Sequence, residues 1–267
     1  MNTIPEAIAH IFGLSAVRYF LIAGVPFAIF YIALPSKVNR LKIQQRLATK
    51  KDFLREIWYS MQSTLVFTLI SVAILLTPLR RFTQVYTNIN DFPLWYLGAT
   101  VLIGLIIHDT YFYWMHRLLH HDKLFKLTHL VHHRSTNPSP WTSYSFHLLE
   151  AVAEGLVLVI LVCVMPMHPL GVLLFTIAAF GINVYGHLGY ELMPRNFRHS
   201  WLFGVLNSSV YHNLHHSKFK GNYGLYFRIW DRVMGTEHPD YVKEYDKIQL
   251  RRFGPESVPA PAKVAGN

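Results

Sequence analysis

A single cysteine, Cys163, stands in 267 residues, and acidic side chains are scarce, with 15 Asp and Glu against 25 Lys and Arg. One thiol excludes an intramolecular disulfide and a cysteine-held iron–sulfur cluster. No Gly-x-Gly-x-x-Gly follows a strand-like run, so the chain carries no dinucleotide-binding fingerprint of its own. Charge is thin as well: 15% of residues are Asp, Glu, Lys or Arg, where an ordinary soluble domain has about 25%. With 52% apolar residues and a mean hydropathy of +0.23, too few polar groups remain to cover a surface facing only water.

The apolar residues fall in runs. Phe20–Leu34 is one, extended upstream by IFGLSAV around Arg18. Trp58–Leu79 holds no charged residue, and Leu94–Ile107 continues into the aromatic TYFYWM. Ala151–Met165 and Leu170–Tyr185 are shorter arms on either side of Pro166–Pro169 (PMHP), a hairpin turn signal. Roughly 20 apolar residues cross a bilayer as a helix. The pattern therefore predicts an all-α, integral membrane helical bundle with about four spans, or two spans plus hairpins. The first run is read as a retained span, because Glu6 replaces the basic cluster of a signal peptide and no cleavage site follows.

The formal charge of +10 does not indicate nucleic acid, because the basic residues border apolar runs. Lys37, Arg40, Lys42, Arg46, Lys50, Lys51 and Arg55 crowd the segment Ser36–Ile57. Short basic loops stay on the cytoplasmic side. Trp114–Ser145 then returns to that face, and Arg80–Phe92 lies opposite. Cys163 is read as a packing residue, and the Pro- and Ala-rich tail Gly254–Asn267 as disordered.

Histidine is what the chain has in excess. His-x-x-His-His occurs twice, as His129, His132, His133 and as His212, His215, His216. A chain with 16 histidines in 267 residues should produce that pattern by accident about 0.06 times. A further pair, His116 and His120, precedes them. Residues i, i+3 and i+4 share a helix face, so each box is expected to present its imidazoles to one side. Eight neutral imidazoles suit iron, zinc, copper or nickel. They are too many for one ion, and two metals with about four histidines each is the natural division. The hairpin 151–185 crosses twice or re-enters, so it returns His212–His216 to the face that holds His116–His133.

Between Leu94 and Thr236 the chain resembles the fatty acid hydroxylase superfamily, in its sterol desaturase branch. The resemblance is carried by HDTYFYWMHRLLHH, HLVHHRSTNPSPWTSYSFHLLE, NVYGHLGYE and YHNLHHSKFKGNYGLYFRIWDRVMGT. It is similar in particular to sterol C-5 desaturases. It implies a cytoplasmic, histidine-lined di-metal cap with two iron ions (Fe2+/Fe3+, zinc being an alternative occupant after purification). It further implies use of O2 to hydroxylate or desaturate a lipid C–H bond, the lipid being sterol, fatty acyl, sphingoid or related. The metal ligands so implied are His116, His120, His129, His132, His133, His212, His215 and His216, with His187 of GHLGY as a ninth. His121 is the alternative to His120. Electrons must come from an external NAD(P)H-dependent reductase through a carrier such as cytochrome b5 or ferredoxin, which basic loops could dock.

Asp109 lies two helical turns before His116 and is read as an acceptor for a ligand imidazole, with a cap or salt bridge to Arg117 as the alternative. His108 is read as polar lining. His147 and Glu150 match a His-Pro-x-Glu segment of the family except that Leu148 replaces proline, and His147 is placed behind the ligands. Asp231 and Arg232 are expected to pair with other charges and hold the last box. Three regions follow: 1–93 with the N-terminal spans and basic loop, 94–240 as the catalytic domain, and 241–267 as a C-terminal segment. Two other classes fit the histidines. A metal transporter would spread ligands along a path, and a b-type cytochrome would use one histidine from each of two helices.

Overall fold

The computed structural model describes residues 3–46 and 48–258. All regular structure in them is helical, with only three isolated β-bridges. The long helices are α1 (Ile4–Phe27), which runs on as a π-helix over Ala28–Ala33, α2 (Lys50–Leu76) and α3 (Leu94–Leu119). Two short helices follow, α4 (Asp122–Thr128) and α5 (Leu130–His133). Then comes a helical hairpin of α6 (Leu148–Val164) and α7 (Pro169–Gly186). The chain ends in α8 (Ser209–Lys218), α9 (Ile229–Val233) and α10 (Tyr241–Phe253).

Among the described residues four helices are long and apolar enough to cross a membrane: Ile4–Ala33, Lys50–Leu76, Leu94–Leu119 and Pro169–Gly186. Leu148–Val164, the partner arm of the last, has 17 residues, or about 25 Å at 1.5 Å per residue. Two boundaries differ from the hydropathy reading. The first helix starts at Ile4, sixteen residues before the apolar run at Phe20, under an N-cap in which Thr3 accepts from Glu6 N–H. The second starts at Lys50, inside the basic segment, because Thr49 and Asp52 form a reciprocal capping box.

In the bundle, α2 packs on α1 and α6, and α3 packs on α7 and α6. A core of Phe112, Met115, Leu161, Met165 and Phe175 fills the middle. The opposite faces stay apolar and uncovered, with Leu102 65% and Ile106 57% exposed on α3, as a lipid-facing surface requires. Met165–His168 turns the hairpin, and His168 caps α7 by accepting from Leu170 N–H. At one end of the bundle sits a cap of α4, α5, α8 and α10. Tyr211, Tyr241 and Tyr245, all fully buried, tie α8 to α10. The expected disorder from Gly254 onward falls on 259–267, which lie outside the described residues, and on Gly254–Val258, which forms a 3-10 turn at Pro255–Ser257.

Candidate metal centre

The cap brings all nine histidines of the sequence reading together. His116 lies in the last turn of α3 and His120 is its C-cap; His129 joins α4 to α5; His132 and His133 lie on α5. His187 is the C-cap of α7, and His212, His215 and His216 lie on α8. His132 Nε2 is 3.3 Å from His187 Nε2, so the α6–α7 hairpin leaves and re-enters the cap on one side.

The imidazoles form two groups. His116, His120, His129, His133 and His215 make the first, and His132, His187, His212 and His216 the second, with the ligand atoms of each group within 4.8 Å of one another. The division is five and four, and it corrects the expectation that each box faces one way. At 100° per residue, positions i and i+4 differ by about 40°, whereas i+3 and i+4 differ by about 100°. Hence His129 and His133 go to one group and His132 to the other. On α8, His212 and His216 stay together and His215 crosses to the first group. The adjacent rings stand at right angles, 89° for His132 and His133 and 90° for His215 and His216.

Backbone carbonyls fix several tautomers. A carbonyl oxygen only accepts, so Nδ1 carries the proton in His116 (to Tyr223, 2.8 Å), His215 (to Gly221, 2.7 Å), His216 (to Ser135, 3.0 Å) and His187 (to Asn183, 2.9 Å). Their Nε2 atoms then hold lone pairs. His187 and His216 point these at each other across 3.1 Å, with His212 Nε2 at 2.9 and 3.1 Å from the two. One proton at most lies among three nitrogens. A cation satisfies such a set, and the donor chemistry fits a borderline transition metal.

Burial supports the neutral form. It is the largest cause holding His129, His132, His133, His212, His215 and His216 well below the usual imidazole value, and neighbouring imidazoles add to it. His187 is lowered to about 4 by the same burial. Neutral imidazole is the ligating state.

Several neighbours differ from the sequence reading. His121 is exposed and caps α4 by accepting from Lys123 N–H, whereas His120 Nε2 lies 3.1 Å from His133 Nε2. Among the described residues Asp109 makes no hydrogen bond to a histidine and no ion pair with Arg117; its Oδ1 accepts from the backbone N–H groups of Leu225, Tyr226 and Phe227. The carboxyl beside the cluster is Glu150, whose Oε1 is 2.6 Å from His129 Nδ1. His147 caps α6 and lies outside both groups. Asp231 accepts from Tyr223 N–H, Gly224 N–H and the Thr236 hydroxyl, and Arg232 donates to the Gly204 carbonyl. The pair that does form there is Arg228 with Glu237. Sequence reading missed Glu56. Buried in α2, it accepts from the hydroxyls of Ser135 (2.7 Å) and Ser139 (2.6 Å), and so holds the loop whose Ser135 carbonyl orients His216.

Membrane-length helices ending in a histidine-lined cap define a class, the multi-pass membrane proteins with histidine boxes. Residues 101–236 match the sequence model of the fatty acid hydroxylase family, and the chain belongs to that family. It is similar to the lathosterol oxidase of Rattus norvegicus, at 33% identity over 71% of this chain and 63% of that protein. The Delta(7)-sterol 5(6)-desaturase ERG3B of Gibberella zeae is 27% identical over 85% of this chain and 70% of its own length. The methylsterol monooxygenase 1 of Gallus gallus is 32% identical over 64% and 58%. The chain thus spans less than two thirds of the lathosterol oxidase. No solved structure matches.

Proposed function

We propose that the chain is a membrane oxidoreductase that hydroxylates or desaturates a C–H bond of a lipid. The observation that carries this reading is the pair of buried histidine groups with facing Nε2 lone pairs, in a family whose relatives include a sterol oxidase, a desaturase and a monooxygenase by name. The nine residues would hold two iron ions. Iron there supplies O2 activation, with electrons from an external NAD(P)H-dependent reductase and a carrier such as cytochrome b5 or ferredoxin.

The chain's own part is positional. Carbonyls of Tyr223, Gly221, Ser135 and Asn183 orient four rings, and Glu150 orients a fifth. Partners of this kind fix the tautomer and raise ligand basicity. Phe112, Phe146 and Phe219 lie against His116, His132 and His133 and keep water from those rings. The basic segment 36–57 beside the cap supports a cytoplasmic orientation for it. The compact grouping speaks against a transport path, which needs ligands strung along it.

The test is lipid mass spectrometry of a host expressing the chain with a reductase and carrier, against the same host expressing His132→Ala. Gain of one oxygen identifies a hydroxylase and loss of two hydrogens a desaturase. Identical lipids from a wild-type chain shown to hold metal and accept electrons would overturn the reading.

A further inference from the structure

Among the described residues, five rings other than imidazole lie against the nine histidines. Four are phenyl: Phe112 on His116, Phe125 on His120, Phe146 on His132 and Phe219 on His133. The fifth is the phenol of Tyr223, whose ring centre is 5.7 Å from His116, 5.1 Å from His120 and 5.7 Å from His215. All three belong to the five-histidine group. A phenyl ring does not give up an electron under conditions that a protein survives, whereas phenol and indole do. The aromatic shell of the centre can therefore pass an electron only at Tyr223.

From Tyr223, oxidisable rings continue to the surface. Tyr113, fully buried, is 6.4 Å away. It stacks on Trp230 at 6.0 Å with the planes 21° apart, and touches Trp114 at 5.3 Å. Trp114 and Trp230 are 5.6 Å apart, and Trp114 is 45% exposed. Every step lies within aromatic contact. Helix α3 carries Tyr113 and Trp114 within one turn of His116, and the 221–236 segment carries Tyr223 and Trp230.

Buried Tyr113 also has a place for its proton. Its hydroxyl is 3.0 Å from Thr236 Oγ1, and Thr236 donates to Asp231 Oδ1 at 2.7 Å. The one Thr236 proton is committed to the carboxylate, so Tyr113 is the donor to Thr236. When Tyr113 loses an electron, its proton moves to Thr236 and the Thr236 proton to Asp231, and re-reduction returns both. Tyr223 is only partly buried, and its hydroxyl exchanges its proton with water. The indoles keep their N–H, that of Trp230 donating to the Thr110 hydroxyl.

We propose that Tyr223, Tyr113, Trp230 and Trp114 form a relay that drains oxidising equivalents from the five-histidine centre when no lipid C–H bond is there to take them. The oxidant is the iron centre charged by O2 or a peroxide, so the relay rests on the redox reading given above. In each hop one electron moves inwards. The centre gains it and Tyr223 loses it, Tyr113 refills Tyr223, and a tryptophan refills Tyr113. The vacancy ends on Trp114 or Trp230, where a one-electron reductant in solution, such as ascorbate, fills it. What the relay protects is the set of ligand imidazoles.

The experiment is peptide mass spectrometry of the purified full chain, loaded with iron and given hydrogen peroxide without lipid substrate, with zinc-loaded protein as the control. Trp114 and Trp230 should gain oxygen several-fold more than Trp201, which is 76% exposed but makes no ring contact among the described residues. Ascorbate should suppress the gain. Tyr113→Phe and Tyr223→Phe each keep a ring in place. Each should bring Trp114 and Trp230 down to the level of Trp201 while oxidation of the ligand histidines rises. Metal content and thermal melting identify a variant that has lost the site, and the other variant then decides. Oxidation that follows exposure, that is equal in zinc-loaded protein, or that is unmoved in both folded variants overturns the relay. Iron-loaded protein that consumes no peroxide overturns the redox reading and the relay together. Relay-selective oxidation in a chain that leaves every host lipid unchanged overturns the lipid oxidoreductase reading alone.

Discussion

His129 Nδ1 and Glu150 Oε1 lie 2.6 Å apart, both side chains almost wholly buried. With Nδ1 donating to the carboxyl, Nε2 is left as the ligating atom, 3.0 Å from that of His116. Removing a carboxylate behind a ligand histidine costs 10–100-fold in metal affinity or activity. Glu150→Leu should therefore lower metal retention or turnover by about tenfold or more, while Glu150→Gln, which still accepts, should lose less. Metal analysis of detergent-purified protein checks this, and equal metal in both variants would remove Glu150 from the site.

His120 and His121 are neighbours with separate tasks. His121→Ala loses only an exposed cap, costing about 1 kcal/mol or less, and should retain metal and activity. His120→Ala should lose both. Activity that survives His120→Ala but not His121→Ala would reverse the assignment.

Acid should loosen the cap before neutral pH does. The buried imidazoles titrate below their ordinary value of about 6.5, His187 at about 4. Between those values the unfolded chain binds protons that the folded chain refuses, so stability rises with pH across this window. The contribution is fully present above about pH 6.5 and is lost as pH falls towards 4. Thermal midpoints of metal-free protein should drop from pH 7.5 to pH 5, and metal should dissociate over the same range. Flat midpoints across that range would contradict the burial argument.

Gly224 has no room for a side chain. A Cβ there would sit 2.3 Å from the Phe227 carbonyl oxygen, a backbone atom that cannot step aside. The loop it belongs to delivers the Gly221 and Tyr223 carbonyls to His215 and His116. Gly224→Ala should destabilise the protein by about 2 kcal/mol and lower metal content, although it changes no ligand. Unaltered metal content would show that the loop does not orient these rings.

Asp109 anchors the same loop through three N–H groups. Asp109→Ala should cost about 3 kcal/mol, since bonds to a carboxylate exceed ordinary ones and the freed N–H groups stay buried. Asp109→Asn, which still accepts, should lose less in a denaturation series. Identical melting of both variants and wild type would refute the anchoring role.

The helical class and eight of the nine histidines were legible because each is a local signal: run length for the helices, and i, i+3, i+4 spacing for the boxes; His187, which stands alone in GHLGY, was legible only through the family resemblance. The sorting of one box between two groups was also implicit in the 100° step, since i+3 and i+4 cannot point the same way. What the sequence concealed are long-range partners. Glu150 stands 21 residues from His129, and Glu56 stands 79 residues from Ser135. Asp109 looked like a partner for His116 because it shares its helix face, but the amides of Leu225–Phe227 arrive from over a hundred residues away and take its oxygen. Capping decided the helix starts at Ile4 and Lys50, where hydropathy alone begins each run later.

Four ring orientations in the cap are set by main-chain carbonyls, which no side-chain substitution supplies or removes. Grafting the three histidine boxes onto an unrelated helical scaffold would therefore transfer nitrogen atoms without the tautomers that make them ligands. A transplant that works must carry the 221–224 turn, the Ser135 carbonyl and the end of α7 with it. The portable unit is thus a stretch of backbone geometry, and the histidines are its readout.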